Sequence, residues 1–183
     1  MFSLKTTFSY KADFWRNKRA HREINGESGF DRHETKMPSY WSNPFTKLCL
    51  GMRHEDKETN WIVINQQAAS LHALLANNSF TATNIGRDKW KHLLDGSSLQ
   101  QNCNMEGLNV AAPSGQNDPA ITRIGIISNN EQDCDSCNSR IGFGSEGSRG
   151  GQHGSNSCGN EAGRYLADNG EKHIRANCYI LVQ

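Results

Sequence analysis

The segment from Ile124 to Gly144 constrains this chain more than any other. It reads IGIISNNEQDCDSCNSRIGFG, an apolar run followed by a loop of amide and carboxylate side chains and then by a glycine turn. The apolar run predicts a buried strand over 123–127, because it leaves no polar face for solvent. A strand that ends in such a loop predicts a hard-cation site, since calcium takes about 6–8 oxygen ligands that a regular element alone cannot converge.

The candidate oxygen ligands lie in this loop and in a second segment after it. They are Asn129, Asn130, Glu131, Asp133, Asp135, Asn138, Glu146 and Asn160. Carboxylates bring charge, and amides complete a coordination shell without adding more of it. The spacing does not match the EF-hand loop, and an ordinary polar surface turn explains the pattern equally well.

The chain has six cysteines. This even number predicts three disulfides and an oxidising compartment. Zinc is the competing interpretation, because Cys134 and Cys137 form a C-x-x-C pair with His153 and Cys158 downstream. A zinc site of this kind would leave the other three cysteines without a role, so disulfides are the preferred interpretation.

Composition excludes some classes of function. A formal net charge of +1 gives no field that would attract nucleic acid or an anionic membrane. A length of 183 residues suits one domain, and a hydrophobic fraction of only 35% fits a loop-rich, strand-dominated one. Together with the local patterns below, this predicts a single α+β domain with more strand than helix and long loops at one end. Gly142–Gly147 fits G-x-G-x-x-G but lacks the helix that should follow. No spacing singles out a catalytic pair, and we expect no enzyme activity.

Local patterns predict several further elements. Phe45–Met52 and Trp61–Asn65 are expected to pair as strands. Asp88 is expected to cap a short helix. The stretch Ser145–Ser157 has no core residue and is expected to be a surface loop. Ile174–Val182 is expected to be the final strand.

Two features bear on where the protein works. Asn77 begins a sequon for N-glycosylation, which is compatible with secretion. Lys5 and Lys11 interrupt the apolar region that a signal peptide needs, and no window approaches a transmembrane span. We expect a secreted protein of which this chain is an N-terminally truncated piece.

The order of motifs resembles the fibrinogen-like superfamily. The motifs are RIGIISNNE at 123–131, Cys134, IGFG at 141–144 and Cys158-Gly159-Asn160. The chain is most similar to the intelectin branch and to domains of coral skeletal organic matrix proteins, to which YKADFWRNK and YWSNPFTKLCLGM are closest. The resemblance covers residues 84–183 and, more loosely, 9–65. It implies a fibrinogen C-terminal-like domain.

The resemblance implies a calcium site within residues 124–160. Asn130, Asp135 and Asn160 match positions at which intelectins hold calcium, and Glu146 matches a ligand after the glycine turn. In the family, a vicinal diol of a sugar fills open coordination positions of that ion. Asp133 and Glu131 are the further carboxylates expected near it.

The resemblance also indicates where sugar would be contacted. Asn138 stands where a family histidine helps to hold the diol, and His153 and Tyr165 are the other expected contacts. Cys137 replaces an acidic residue of the family's loop. The family's calcium-ligand positions are therefore matched better in this chain than the positions that determine its sugar specificity.

The resemblance favours a Cys103–Cys134 disulfide that anchors the acidic loop. The remaining four cysteines can be paired in three ways. The expected one joins Cys137 to Cys158 and Cys49 to Cys178. Each bridge is expected to stabilise the fold by roughly 2–4 kcal/mol.

These observations predict a calcium-dependent extracellular domain that recognises glycans or glycoproteins of the cell surface or matrix, as a monomer or a homo-oligomer. The alternative is a structural or adhesive matrix protein in which calcium only stabilises loops. A third interpretation is an intracellular zinc module with free thiols.

Overall fold

Two antiparallel sheets contribute to one hydrophobic core in the computed structural model, which describes residues 7–26, 30, 32–113, 118–148 and 153–183. The small sheet has the order β2-β1-β9, with β1 (Phe45–Arg53), β2 (Asn60–Ala68) and β9 (Asn177–Val182). The large sheet has the order β3-β4-β5-β6-β7-β8. Its strands are β3 (Thr81–Ala82), β4 (Asn102–Ala111), β5 (Ile121–Asn129), β6 (Ser139–Ser148), β7 (His153–Ala162) and β8 (Lys172–Arg175).

The helices of the described residues are short. They are a 3₁₀ helix (Asp13–Trp15), α1 (Glu23–Gly26), α2 (Ser39–Ser42), α3 (Leu71–Leu75) and α4 (Arg87–His92). The expected α+β class with more strand than helix is therefore confirmed, whereas the fibrinogen-like fold itself stays a prediction. The described part of the chain contains no helix long and apolar enough to cross a membrane.

Three local predictions need correction. The described parts of the stretch Ser145–Ser157, residues 145–148 and 153–157, are not a surface loop, because they belong to β6 and β7. The rest of that prediction, 149–152, lies outside the described residues. The small Gly and Ser residues of the described parts sit in paired strands, whose ladder satisfies the backbone without apolar side chains. Gly86 rather than Asp88 occupies the N-cap of α4. The predicted final strand is two strands, since the chain crosses from β8 in the large sheet to β9 in the small one.

The core is divided by strand β5, which is buried on both faces. Ile124 and Ile126 face the main core between the sheets, as predicted for a buried strand, while Ile127 faces a second, smaller cluster. Alternate residues of a strand point to opposite faces, so consecutive isoleucines serve both. The second cluster consists of Val110, Ala112, Ala120, Ile127 and Cys137.

The sheets are joined by a Cys158–Cys178 disulfide between β7 and β9, with the Cα atoms 6.3 Å apart. The expected Cys137–Cys158 and Cys49–Cys178 pairings are wrong, and Cys49 and Cys137 are unpaired.

Side-chain alternation explains the correct pairing. Cys178 lies opposite the buried Met52 and so faces the core, whereas Cys49 lies opposite the exposed Val63 on the outer face of β1. Cys137 belongs to the second cluster, across the large sheet from the main core.

A row of four glycines crosses the large sheet. Gly107, Gly125, Gly142 and Gly159 lie opposite one another in β4 to β7. A Cβ atom on Gly142 would lie 2.3 Å from the Oγ1 of Thr122, and one on Gly125 would lie 2.3 Å from the carbonyl oxygen of Ile141. No side chain fits at such distances, so this row fixes how closely the strands approach.

Two buried cations hold the N-terminal segment in place: Lys36 joins two parts of that segment, and Arg123 joins it to the large sheet. Lys36 is 5% exposed, donates from Nζ to the carbonyl of Phe14 at 2.6 Å and lies 4.6 Å from the ring centroid of Tyr40. Arg123 of β5 donates from Nε to the carbonyl of Tyr10 at 2.8 Å and lies over its ring. Backbone carbonyls and aromatic ring faces, rather than carboxylates, therefore contact these two buried cations.

Replacing Gly142 with Ala tests the glycine row. We expect the free energy of unfolding to fall by about 1–3 kcal/mol, because neighbouring atoms must move to admit a methyl group. Gly154→Ala in β7 is the matched control, since its Cβ would meet nothing closer than 3.4 Å, and it should change stability by less than about 0.5 kcal/mol. Urea denaturation measures both; equal losses would contradict the assigned strand packing.

Lys36 should make stability depend on pH. Burial lowers the pKa of Lys36 from 10.5 to about 8. Between these values the native state has released a proton that the unfolded chain still binds, so the free energy of unfolding rises with pH from about 8 to 10.5. Urea denaturation should show the difference between wild type and Lys36→Met growing across this window. The exposed Lys47→Met variant should keep the wild-type slope, and parallel curves for wild type and Lys36→Met would refute the shifted pKa.

Candidate functional site

Three loops meet at one end of the large sheet, and the buried side chain of Gln100 connects them. We call this region the loop end and define it as residues 95–101, 130–138 and 163–170. Gln100 donates from Nε2 to the Oδ1 of Asn130 at 3.1 Å and to the carbonyl of Tyr165 at 2.9 Å. Its Oε1 accepts from the backbone N–H of Asn138 at 3.2 Å. One fully buried amide therefore fixes the relative positions of all three loops.

Asp168 provides a second brace. Its carboxylate accepts from Arg87 Nη2 at 2.8 Å, from the backbone N–H of Leu99 at 3.1 Å and from Lys91. Burial opposes ionisation of Asp168, but the hydrogen bonds from Lys91, Leu99 and Arg87 outweigh it and hold the pKa of this carboxyl below its usual value. The ion pair ties the 163–170 loop to helix α4.

The acidic loop 130–138 is anchored at its base. The expected Cys103–Cys134 disulfide is present and connects the loop to the start of β4, with the Cα atoms 5.2 Å apart. The buried Asn129 donates from Nδ2 to the carbonyl of Asp133 at 2.9 Å, and the Oδ1 of Asp133 accepts from the N–H of Asp135 at 2.9 Å. A fixed turn therefore carries three exposed carboxylates, those of Glu131, Asp133 and Asp135.

Cys137 ends this loop as a buried thiol. It is 1% exposed, and its Sγ lies 3.6 Å from the Sγ of Cys103. Burial, followed by the nearby negative charge of Asp133, raises the pKa of the Cys137 thiol to about 12. The thiol therefore stays protonated at neutral pH.

Asn130 lies at the loop end and Asn160 lies beside it, and the side-chain amides of both already make hydrogen bonds within the protein. Asn160 is fully buried, and its Oδ1 accepts from the N–H of Ser98 at 2.8 Å. Its Nδ2 donates to the carbonyls of Ser98 at 2.8 Å and Arg140 at 2.9 Å. The Oδ1 of Asn130 accepts from Gln100. Both amides hold loops in place rather than pointing oxygens at a common centre.

Glu146 and His153 lie at the opposite end of the large sheet. Glu146 is seven residues along β6 from Ser139, which corresponds to roughly 23 Å of extended strand. Its carboxylate pairs with Lys11 at 2.8 Å. His153 pairs with Asp118 at 2.7 Å and lies 4.0 Å from Glu146. The structure separates these two predicted residues from the loop end.

The calcium ligands implied by the resemblance do not fit this geometry as a set. Glu146 is distant, and the side-chain oxygens of Asn130 and Asn160 each accept from a protein donor. Across the described ranges, no group of three or more His, Cys, Asp or Glu residues is arranged to hold a metal ion. The zinc alternative loses two ligands, since Cys134 and Cys158 are in different disulfides.

Of the predicted sugar contacts, Asn138 and Tyr165 lie at the loop end, and Tyr165 is 51% exposed. Arg164 donates to the Tyr165 hydroxyl at 2.6 Å, with its guanidinium 4.8 Å from the ring centroid. No sequence pattern indicates Gln100, because a buried glutamine in a polar stretch cannot be told from a surface one by residue type. Its role depends on loops that are distant along the chain.

A scan against protein-family models found no match, and searches of the curated proteins and of the solved structures found none either. The likeness to fibrinogen-like and intelectin-like domains therefore remains an expectation from sequence motifs.

The substitution Asn160→Asp tests whether Asn160 holds the backbone of neighbouring segments in place or binds calcium. A carboxylate here would lose the N–H donors that serve two backbone carbonyls, so we expect the free energy of unfolding to fall by at least about 2 kcal/mol. Added calcium should not restore it. The exposed Asn77 accepts from the N–H of Ser79 at 3.0 Å, so Asn77→Asp in unglycosylated protein is the control and should be neutral. Thermal and urea unfolding with calcium or chelator measures this; recovery of the Asn160 variant by calcium would reverse the assignment.

Proposed function

We propose that this protein is a non-catalytic extracellular recognition domain that binds glycans at the loop end. The observation that carries the proposal is the bracing of three loops by Gln100, Asn160 and Asp168, which holds exposed carboxylates and an exposed tyrosine in fixed positions. A surface ordered before binding loses less conformational entropy when a ligand arrives.

The exposed groups of the loop end suit a polyhydroxylated ligand. The carboxylates of Glu131, Asp133 and Asp135 accept hydrogen bonds, which sugar hydroxyls donate. The Tyr165 ring offers an apolar face together with a polar hydroxyl, and Arg164 restrains it. We place the ligand between the acidic loop and Tyr165, with Asn138 at its base.

In this proposal, calcium binds only at the acidic loop. Among the described residues its three carboxylates are not gathered into a metal-ligand set, so calcium would act as a counter-charge to the negative loop, which has three carboxylates within five residues. Asn130, Asn160 and Glu146 have no part in it, since each is engaged elsewhere.

Two disulfides support placing the protein outside the cell, because such bridges persist mainly in oxidising compartments. The partners would be glycans or glycoproteins of the cell surface or matrix.

A glycan array in the presence of calcium tests this function. We expect Tyr165→Ala to weaken binding to the glycans that the wild-type protein binds by at least about tenfold, equivalent to about 1.4 kcal/mol. Replacing both Asp133 and Asp135 with Asn should weaken that binding further. Phe80→Ala and Glu58→Gln change an exposed aromatic and an exposed acid elsewhere and should bind as wild type. Equal binding by all variants would exclude the loop end as the site. Loss in chelator would show that the ion takes part.

A structural or adhesive matrix role is the second candidate. The engagement of Asn130 and Asn160 in loop packing favours it, since calcium at the carboxylates would then only stiffen an already braced loop. In that case the array would be blank while calcium still raised the melting temperature, and the Asp133 and Asp135 substitutions would abolish that rise.

A further inference from the structure

Three sulfur atoms meet beneath the acidic loop. The disulfide of Cys103 and Cys134 occupies two of them, and the thiol of Cys137 lies 3.6 Å from the Sγ of Cys103. The same thiol donates to the carbonyl oxygen of Cys134 at 3.4 Å. Both cysteines of the C-x-x-C pair therefore approach the same residue of strand β4.

The thiol is enclosed by the second hydrophobic cluster. Val110 and Ile127 belong to that cluster, and Cys137 is 1% exposed within it. A reagent in solution reaches this sulfur poorly, whereas Cys103 is within contact distance. The nearest reaction partner is thus inside the molecule.

We infer that Cys103, Cys134 and Cys137 form a thiol–disulfide exchange site at which the bridge passes between Cys103–Cys134 and Cys103–Cys137. The exchange proceeds through the small fraction of Cys137 that is deprotonated, its proton having passed to water, and this thiolate attacks the Sγ of Cys103. The Cys103–Cys137 bond forms as the Cys103–Cys134 bond breaks, and the departing Cys134 sulfur takes the electron pair and then a proton. The number of disulfides is unchanged, so no oxidant or reductant is required.

The exchange changes what anchors the acidic loop. The ring closed by the bridge grows by only three residues, from 103–134 to 103–137, so its closure entropy hardly changes and local packing decides between the two states. In the second state residues 131–136 have no covalent anchor, and Cys134, which is half-buried, carries the free thiol. The site thereby offers a modifiable cysteine beside the exposed carboxylates.

Thiol counting in a Cys49→Ala background tests the alternative bridge. The background protein should show one thiol in denaturant. Adding Cys134→Ser should lower the count to zero and yield a Cys103–Cys137 linked peptide. The matched control, Cys137→Ser in the same background, should also show zero thiols, with the Cys103–Cys134 peptide. Two thiols in the Cys134→Ser variant would overturn the inference.

A labelling experiment on the Cys49→Ala background protein, which keeps all three cysteines of the exchange site, keeps the inference testable if the Cys134→Ser variant fails to fold. N-ethylmaleimide is added to the folded Cys49→Ala protein, the reaction is quenched with acid, and peptides are mapped. We expect the label to accumulate on Cys134, and no label there when Cys137 is also replaced by Ser. Label on Cys137 alone would show that no exchange occurs. Neither experiment depends on glycan or calcium binding, so its outcome is separate from that of the proposed function.

Discussion

The arrangement of this protein's loops depends on hydrogen bonds between buried side-chain amides and the backbone. Gln100 and Asn160 are both fully buried, and each satisfies backbone groups from segments that are distant in the sequence. A buried amide without its partners costs free energy, so each one specifies the positions of the groups it bonds. The loops of the large sheet therefore behave as one body, although they have little regular structure of their own.

The glycine row and the Cys158–Cys178 bridge set the framework that these amides complete. Close approach of β4 to β7 at Gly125 and Gly142 fixes the register of the large sheet. The bridge then joins that sheet to the small one at a point where both cysteines face the main core. With register and sheet position defined, Gln100 and Asn160 meet partners on neighbouring segments.

The acidic loop shows how much of a site can be predicted from residues that are close together in the sequence. Its carboxylates are close together in the sequence, the family resemblance implies its Cys103–Cys134 anchor, and the structure brings these groups together. The resemblance also implies Glu146 as a ligand, yet the regular rise of strand β6 places this residue at the other end of the sheet. Asn160 lies beside the loop end but as a donor to two carbonyls, a role that its residue type does not reveal.

Local hydrophobic pattern and residue type are enough to predict the α+β class, the buried strand β5, the β1–β2 pair and the chemistry of the acidic loop. The remaining features depend on contacts between segments that are distant along the chain. Long-range packing pairs β6 with β7 through the described Gly and Ser residues at 145–148 and 153–157, and it places Cys49 and Cys178 on opposite faces of the small sheet. It also joins three loops through Gln100. Each of these outcomes depends on which strands lie side by side and which face each side chain occupies, and short-range sequence carries little of that information.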